Sequence, residues 1–139
     1  MNRVLVDLNV VLDVLMSRGH HAVPAAHLWT AIEQREVEGL LAAHCVTTLH
    51  YLAGRTGGSG FADRCVADVL TVFGVAPVDG AVLRHAANLG WRDFEDAVCA
   101  AAAAQAGCQL IATRDPSGFE DTEIPVMDPR AALAAIRAR

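Results

Sequence analysis

The chain has 139 residues, of which 53% are hydrophobic, and carries a formal net charge of −5. This length allows one domain to bury a core without staples, and the hydrophobic fraction is typical of a packed globule and excludes a disordered chain. The negative charge argues against broad electrostatic adhesion to nucleic acid, which depends on Lys and Arg, but not against a nucleic-acid enzyme that holds divalent cations.

No apolar run approaches the ~20 residues that a membrane helix requires. The apolar run that follows Arg3 is also too short for the apolar region of a signal peptide. We therefore expect a cytoplasmic protein without a membrane partner.

Cysteine and histidine give a weak metal signal. His44, Cys45 and His50 form a loose group, but a zinc site there would need a fourth ligand, so buried or surface histidines are favoured. The chain has no C-x-x-C pair, and its cysteines are interpreted as small core residues in a reducing compartment. These are Cys45, Cys65, Cys99 and Cys108.

The pattern along the chain alternates between strands and helices. A short β-branched run at residues 3–7 predicts a buried parallel strand that ends in an acid. The other predicted strands are 40–43, 75–78 (at an edge of the sheet), 109–113 and 124–127. Predicted helices are 9–16, 23–37 (ended by Gly39), a third opening at 46, a fourth over 61–73 after a turn at 56–60, 79–89, 93 to about 106, and a terminal one begun by Asp128 and Pro129.

This alternation, without an internal repeat or a linker, predicts an α/β fold with a central parallel sheet and helices on both faces. We expect one domain over residues 1–139. In such folds, ligands bind outside the carboxyl ends of the strands, where the strand order reverses.

Several acids should meet at that edge. Asp7 closes the first strand, Asp115 follows the strand at 109–113, and Asp93 and Asp96 open the helix before that strand. Carboxylates this close repel one another unless something positive lies among them, and Mg²⁺ or Mn²⁺ prefers such oxygen ligands. The sequence offers no convincing protein nucleophile.

The stretch WRDFEDAV, residues 91–98, separates the possible roles of its three acids. Asp93 and Asp96 share a helix face, whereas Glu95 points ~100° away from Asp96. We expect Asp96 to bind metal, Asp93 to cap the helix or to support the site, and Glu95 to lie in solvent.

Three motifs carry a resemblance to a known family. VDLNVVLDVL resembles the opening segment of PIN-domain nucleases, including the VapC-type toxins, DFEDAV resembles their helix start, and ATRDPSGF resembles their later T-R/N-D/N segment. The motifs occur in the family's order and at its intervals. The resemblance implies a three-layer PIN-like fold and a metal-dependent ribonuclease.

Carried over by position, the resemblance makes Asp7, Asp96 and Asp115 the metal-binding acids. Asp93 would lie nearby, and Asn9 would position a water or orient Asp7, unless it is an ordinary residue of the helix N-terminus. Two further residues stay open. Asp13 is interpreted as structural or supporting, and Arg114 either contacts substrate phosphate or forms a surface ion pair.

One position departs from the family. Most PIN nucleases carry a glutamate near the start of the helix after the second strand, and Thr48 occupies that position here, as a possible polar substitute without charge. A subset of PIN-like proteins shares this feature. The departure leaves a second hypothesis, a catalytically impaired PIN-like scaffold that binds RNA or a protein partner.

The favoured function is an endoribonuclease that cleaves RNA with Mg²⁺ or Mn²⁺, as the toxin of a toxin–antitoxin system. The resemblance implies a homodimer and a small antitoxin protein as partners. A haloacid-dehalogenase-like phosphatase is disfavoured, because that family needs a second Asp two residues after the first, where this chain has Asn9.

Overall fold

Five short parallel strands form the central sheet of the computed structural model, which describes residues 2–138. The strands are Arg3–Val6 (β1), Glu38–Ala42 (β2), Gly74–Ala76 (β3), Leu110–Ala112 (β4) and Val126–Met127 (β5). They lie in the order β3-β2-β1-β4-β5, and all neighbours are parallel. The strand order therefore reverses between β1 and β4, which makes this the expected ligand crevice.

The helices cover both faces of the sheet. Within residues 2–138 they are Leu8–Leu15 (α1), Ala22–Glu33 (α2), Ala43–Val72 (α3), Gly80–Leu89 (α4), Phe94–Gln105 (α5) and Pro129–Arg137 (α6), with short 3-10 turns at Gly19–His21 and Pro116–Gly118. None of the described helices has both the length and the apolar character needed to cross a membrane.

The alternation of side chains in β1 separates two cores. Val4 and Val6 pack with α1, α2 and α6 on one face, whereas Leu5 packs with α4 and α5 on the other. Successive strand residues point to opposite faces, so a continuous apolar strand is buried on both sides. The predicted three-layer α/β fold with a parallel sheet is confirmed.

Four helices begin at an aspartate whose carboxylate accepts a hydrogen bond from a first-turn N–H group. These caps are Asp7, Asp79, Asp93 and Asp128. The caps predicted at Asp79 and Asp128 are confirmed, as is Gly107, which follows α5 in a left-handed conformation (φ 73°).

The predicted turn at 56–60 is a single sharp break inside α3. Gly58 alone has a non-helical conformation there (φ 86°, ψ 175°). Nε2 of His50 lies 2.9 Å from Oδ1 of Asp63, whereas residues 13 apart on a straight helix are separated by about 20 Å. The two halves of α3 therefore fold back on each other as a helical hairpin.

The helix predicted over 23–37 ends earlier, at Glu33, so Gly39 does not end it. Arg35 takes a left-handed conformation (φ 62°) and turns the chain toward β2. Gly39 lies within that strand, where a Cβ atom would approach the Ile32 side chain to 2.7 Å. The position therefore requires glycine for packing, which local periodicity does not reveal.

Candidate metal-binding active site

A cluster of carboxylates lies at the crevice between the carboxyl ends of β1 and β4. One oxygen each from Asp7, Glu95 and Asp96 lies within 4.8 Å of the others. These acids border an open pocket of about 280 Å³, which is also lined by Leu8, Asn9, Leu12, Asp93 and Asp115. Acids far apart in sequence thus meet where the parallel topology predicts.

Thr113 fixes the orientation of Asp7. Its hydroxyl donates to Oδ2 of Asp7 at 2.8 Å, and the Leu8 N–H donates to Oδ1 at 2.8 Å. The Asn9 side-chain amide and the Asp115 N–H both donate to the Thr113 hydroxyl. The sequence analysis did not identify Thr113, although the residue lies in ATRDPSGF. Its hydroxyl at the end of a buried strand could have indicated a contact with the site.

Asn9 and Asp115 occupy the border of the pocket in different ways. Asn9 also accepts a hydrogen bond from the Arg114 N–H at 3.2 Å, so it ties α1 to the segment after β4. Asp115 is exposed and accepts a hydrogen bond from the Ser117 hydroxyl. It lines the same pocket but lies outside the close group of three acids.

Asp96 is held in the first turn of α5. Its backbone N–H donates to the Asp93 carboxylate at 3.0 Å, so Asp93 acts as the helix cap. The Asp96 side chain is buried, and the turn at Pro116–Gly118 closes over it. A Cβ atom at Gly118 would overlap Oδ2 of Asp96, so a larger residue there would have to displace this carboxylate.

The electrostatics of the pocket favour a cation. Burial raises the pKa of Asp7, and burial together with the charges of Asp7, Asp93 and Glu95 raises the pKa of Asp96 to about 7. Within residues 2–138, no arginine forms an ion pair with Asp7 or Asp96. The repulsion between Asp7 and Asp96 is therefore not offset by an arginine, and the basic side chain beside the pocket, His44, pairs with Glu95.

The nearby arginines pair with a different acid. Nη1 of Arg114 lies 3.1 Å from Oδ1 of the buried Asp13, and Nη1 of Arg18 lies 4.0 Å from the same oxygen. Arg114 was expected either to contact substrate phosphate or to form an ion pair, and in the structure it forms an ion pair. Asp13 is structural in this arrangement, since its side chain is almost fully buried under the arginines.

Glu95 does not simply lie in solvent, so that expectation was wrong. Its side chain is half-exposed, but its carboxylate accepts a hydrogen bond from Nε2 of His44 at 2.8 Å, and this bond is the main cause of its lowered pKa. The rotation of ~100° from Asp96 points it toward the start of α3, where it bonds to His44 while remaining half-exposed. Glu95 thereby belongs to the acid pocket as well.

Thr48 lies outside this arrangement. It is exposed, and its hydroxyl donates to the His44 carbonyl one helical turn earlier, at 3.3 Å. It is not among the residues that line the acid pocket. The glutamate of the pocket is Glu95, which comes from α5 and not from α3.

A larger depression, of about 790 Å³, lies at the opposite edge of the sheet. It is lined by the starts of β2 and β3, including Glu38 and Gly74. Neither group of potential metal ligands found within residues 2–138 borders it. The chemistry-bearing side chains are therefore concentrated at the carboxyl edge.

Comparison with known proteins agrees with this architecture. A family model described as PIN domain matches residues 3–117. Among curated proteins, none matches significantly.

Solved structures share the fold at low sequence identity. VapC20 of Mycobacterium tuberculosis, described as a sarcin-ricin loop cleaving toxin, is 19% identical over 83% of this chain and 92% of that chain, with a TM-score of 0.68. DNA-bound VapBC from Salmonella typhimurium is 13% identical over 92% and 98%, with a TM-score of 0.69. FitAcB from Neisseria gonorrhoeae is 20% identical over 91% and 97%, with a TM-score of 0.66. Since the family model spans most of the chain, the protein belongs to the PIN domain family.

Proposed function

We propose that this protein is a metal-dependent endoribonuclease that hydrolyses RNA phosphodiester bonds. The observation that carries the proposal is the convergence of Asp7, Glu95 and Asp96 within 4.8 Å, with no arginine paired to the two aspartates in residues 2–138. Hard divalent cations such as Mg²⁺ or Mn²⁺ suit an oxygen-only donor set of this kind.

The residues divide into those that hold the cation and those that position them. Asp7, Glu95 and Asp96 would bind it, and Asp115, at the border of the pocket, would complete the acidic set. When bound, a divalent cation activates water and neutralises the charge that develops at the phosphate. Thr113 and Asn9 keep Asp7 oriented through the hydroxyl–carboxylate bond of 2.8 Å.

The substrate phosphate has a favourable place beside α5. The helix N-terminus presents unpaired N–H groups and the positive end of the helix dipole, which attract an anion. Arg114 is not proposed to bind phosphate, because its guanidinium already pairs with Asp13. RNA as the substrate is supported by the family resemblance and by the description of VapC20.

The proposal extends to a toxin–antitoxin system. The similar structures from Salmonella and Neisseria are named VapBC and FitAcB, the former bound to DNA, and VapC20 is described as a toxin. We propose that this chain is the toxin, that it forms a homodimer, and that a small antitoxin inserts a segment into the acidic pocket.

The nuclease proposal is tested by RNA cleavage with Mn²⁺, with and without EDTA. Asp96→Asn should lower the cleavage rate by more than about 100-fold, since even removal of a neighbour that supports a ligand typically costs 10- to 100-fold. Asp68→Asn, an exposed aspartate on α3 away from the pocket, is the matched control and should retain the wild-type rate. Equal cleavage by wild type and Asp96→Asn, unaffected by EDTA, would refute the proposal.

Calorimetric titration with Mn²⁺ of the same samples separates the nuclease from the scaffold hypothesis. The nuclease proposal expects Mn²⁺ to bind to wild type and not to Asp96→Asn. Binding of Mn²⁺ without cleavage of any RNA would instead assign a PIN-like scaffold, whereas binding together with cleavage excludes it.

The partner is tested by genetics and by solution mass. A short reading frame for a DNA-binding protein directly upstream should encode a protein that co-purifies with this chain and inhibits its cleavage. Light scattering should give the mass of a dimer. A lone gene whose product stays monomeric would contradict the proposed partners without affecting the nuclease proposal.

A further inference from the structure

A second group of ligand-type side chains lies directly behind the acid pocket. Nε2 of His44, the Sγ atoms of Cys45 and Cys99, and a carboxylate oxygen of Glu95 lie within 4.8 Å of one another. His44 and Cys45 open α3, while Glu95 and Cys99 are four residues apart on one face of α5. The sequence analysis disfavoured zinc because a further ligand was lacking near His44 and Cys45, and α5 provides the missing ligands.

The six distances among these atoms resemble the edges of a tetrahedron. Nε2 of His44 lies 3.7 Å and 3.9 Å from the two sulfur atoms, and the sulfur atoms lie 4.0 Å apart. Oε2 of Glu95 lies 3.7 Å, 3.2 Å and 2.8 Å from Cys45, Cys99 and His44. Zinc bond lengths of about 2.0–2.3 Å at tetrahedral angles give edges of about 3.3–3.8 Å. Five of the distances lie within about 0.2 Å of this range, whereas the 2.8 Å hydrogen bond between His44 and Glu95 would have to lengthen when the metal replaces it.

We propose that His44, Cys45, Glu95 and Cys99 form a zinc-binding site, with the imidazole Nε2, two thiolates and one carboxylate oxygen as ligands. A soft and borderline donor set of this kind selects Zn²⁺ over Mg²⁺ or Mn²⁺. On binding, the two thiols and the Nε2–H group of His44 lose their protons to the solvent, the hydrogen bond between His44 and Glu95 is given up, and the two sulfur atoms, Nε2 and the carboxylate oxygen bond to the metal.

Burial of the four groups suits entry from one side. Cys45 and Cys99 are almost fully buried, whereas the side chains of His44 and Glu95 are 29% and 50% exposed. The other ring nitrogen of His44, Nδ1, is buried and has no hydrogen-bond partner within residues 2–138, so every polar interaction of the ring passes through Nε2. The thiols thus form the floor of the site, and the imidazole and the carboxylate form its mouth.

Four protein ligands would leave no open position, so the zinc site is structural. It joins the start of α3, directly after β2, to the first two turns of α5. Since Glu95 is also near Asp7 and Asp96, zinc would set the orientation of a carboxylate in the acid pocket. This last consequence rests on the proposed function, whereas the zinc site itself does not.

Cobalt substitution tests the site without any activity measurement. The full chain, stripped of metal and kept reduced with a phosphine, is titrated with Co²⁺. One equivalent should produce thiolate-to-cobalt charge-transfer absorption in the near ultraviolet and the visible bands of tetrahedral cobalt, and Zn²⁺ should displace it. Cobalt bound only to the acid pocket would lack the sulfur band, and that result would overturn the proposal.

Variants assign the ligands. Cys45→Ala and Cys99→Ala should each lose part of the charge-transfer intensity, and together all of it, while His44→Gln should weaken Co²⁺ binding by more than the roughly 10- to 100-fold typical of a lost supporting neighbour. Cys108→Ala and His50→Gln are matched controls outside the group and should bind like wild type. Circular dichroism checks that each variant folds.

Two outcomes would reject the site even if the variants fold poorly. One is a sulfur band that persists in the Cys45→Ala/Cys99→Ala double variant. The other concerns fully reduced wild-type protein: the rate at which the Cys45 and Cys99 thiols are chemically modified is the same with and without excess Zn²⁺. Protection of those thiols by Zn²⁺, in contrast, supports it independently of cobalt. Neither readout depends on RNA cleavage, so failure of the zinc proposal is distinguishable from failure of the nuclease proposal.

Discussion

The two ligand groups of this protein lie side by side, yet they differ in chemistry and in origin. The acid pocket gathers carboxylates that follow β1 or open α5, at the carboxyl edge of the sheet. The zinc group gathers sulfur and nitrogen from the starts of two helices. Glu95 is common to both. One turn of helix can thus supply side chains to two sites, because neighbouring positions face different partners.

Helix geometry explains the division. Positions 95 and 99 share one face of α5 and meet α3, whereas position 96 is rotated by ~100° and meets the end of β1. Short-range spacing sets these faces, but only packing decides what lies opposite each face.

The broadest effect is expected for Glu95→Gln, because it changes both groups. An amide keeps the shape but loses the charge, so Mn²⁺ affinity and RNA cleavage should fall by more than about tenfold, and Co²⁺ affinity at the sulfur site should fall as well. Calorimetry, cleavage and cobalt spectra measure the three quantities. Glu33→Gln, an exposed change on α2, is the matched control. Loss at only one group would show that Glu95 is not shared.

Gly118→Ala should affect the acid pocket alone. The added Cβ would displace the Asp96 carboxylate, and a displacement of this kind lowers cleavage by about 10- to 100-fold. The cobalt–sulfur spectrum should remain that of wild type, since the added Cβ atom would meet only Asp96 and no residue of that group within 4 Å. Gly60→Ala, on α3, is the control, since a Cβ atom there would meet only the end of the Arg64 side chain, at an ordinary contact distance of 3.6 Å. A wild-type cleavage rate in Gly118→Ala would show that the position of Asp96 is not critical.

The pH dependence of stability should distinguish Asp96 from an ordinary carboxylate. Its pKa is raised to about 7 in the folded protein, chiefly by burial, from an ordinary value of 3.8 in an unfolded chain. The folded state therefore holds the proton more tightly, and the metal-free protein loses stability as pH rises from about 4 to about 7.

Melting temperatures of wild type and Asp96→Asn, measured in EDTA, test this dependence. The advantage of Asp96→Asn should grow across that pH window and stay constant above it. Saturating Mn²⁺ should reverse the order, since a ligand 100-fold above its Kd adds about 2.7 kcal/mol to the free energy of unfolding. A difference in melting temperature that does not vary with pH would contradict the raised pKa.

Thr48→Val should have the smallest effect. The Thr48 hydroxyl bonds to a carbonyl of its own helix and does not line the acid pocket. Exposed substitutions of this type usually change stability by less than about 0.5 kcal/mol, and cleavage should change by roughly twofold or less. A large loss of cleavage would show that Thr48, and not Glu95, takes the place of the family glutamate.

Local patterning in the sequence determined most of the fold. The apolar run before Asp7 specified a buried parallel strand, and the caps at Asp79 and Asp128 specified helix starts, because these features depend on interactions within a few residues. The same locality explains why Gly39 was wrongly predicted to end a helix. Glycine is needed there because of the Ile32 side chain, seven residues earlier. Periodicity carries no information about that contact.

For the site, the motifs indicated the family and the acids at the strand ends, since parallel topology brings those ends to one edge. The surroundings of each acid, in contrast, depend on the tertiary structure. It paired Arg114 with Asp13, put Thr113 on Asp7, and turned Glu95 toward His44. The physical reason is that these partners come from separate elements, so their contacts follow from how α1, α3 and α5 pack on the sheet and leave no local trace in the sequence.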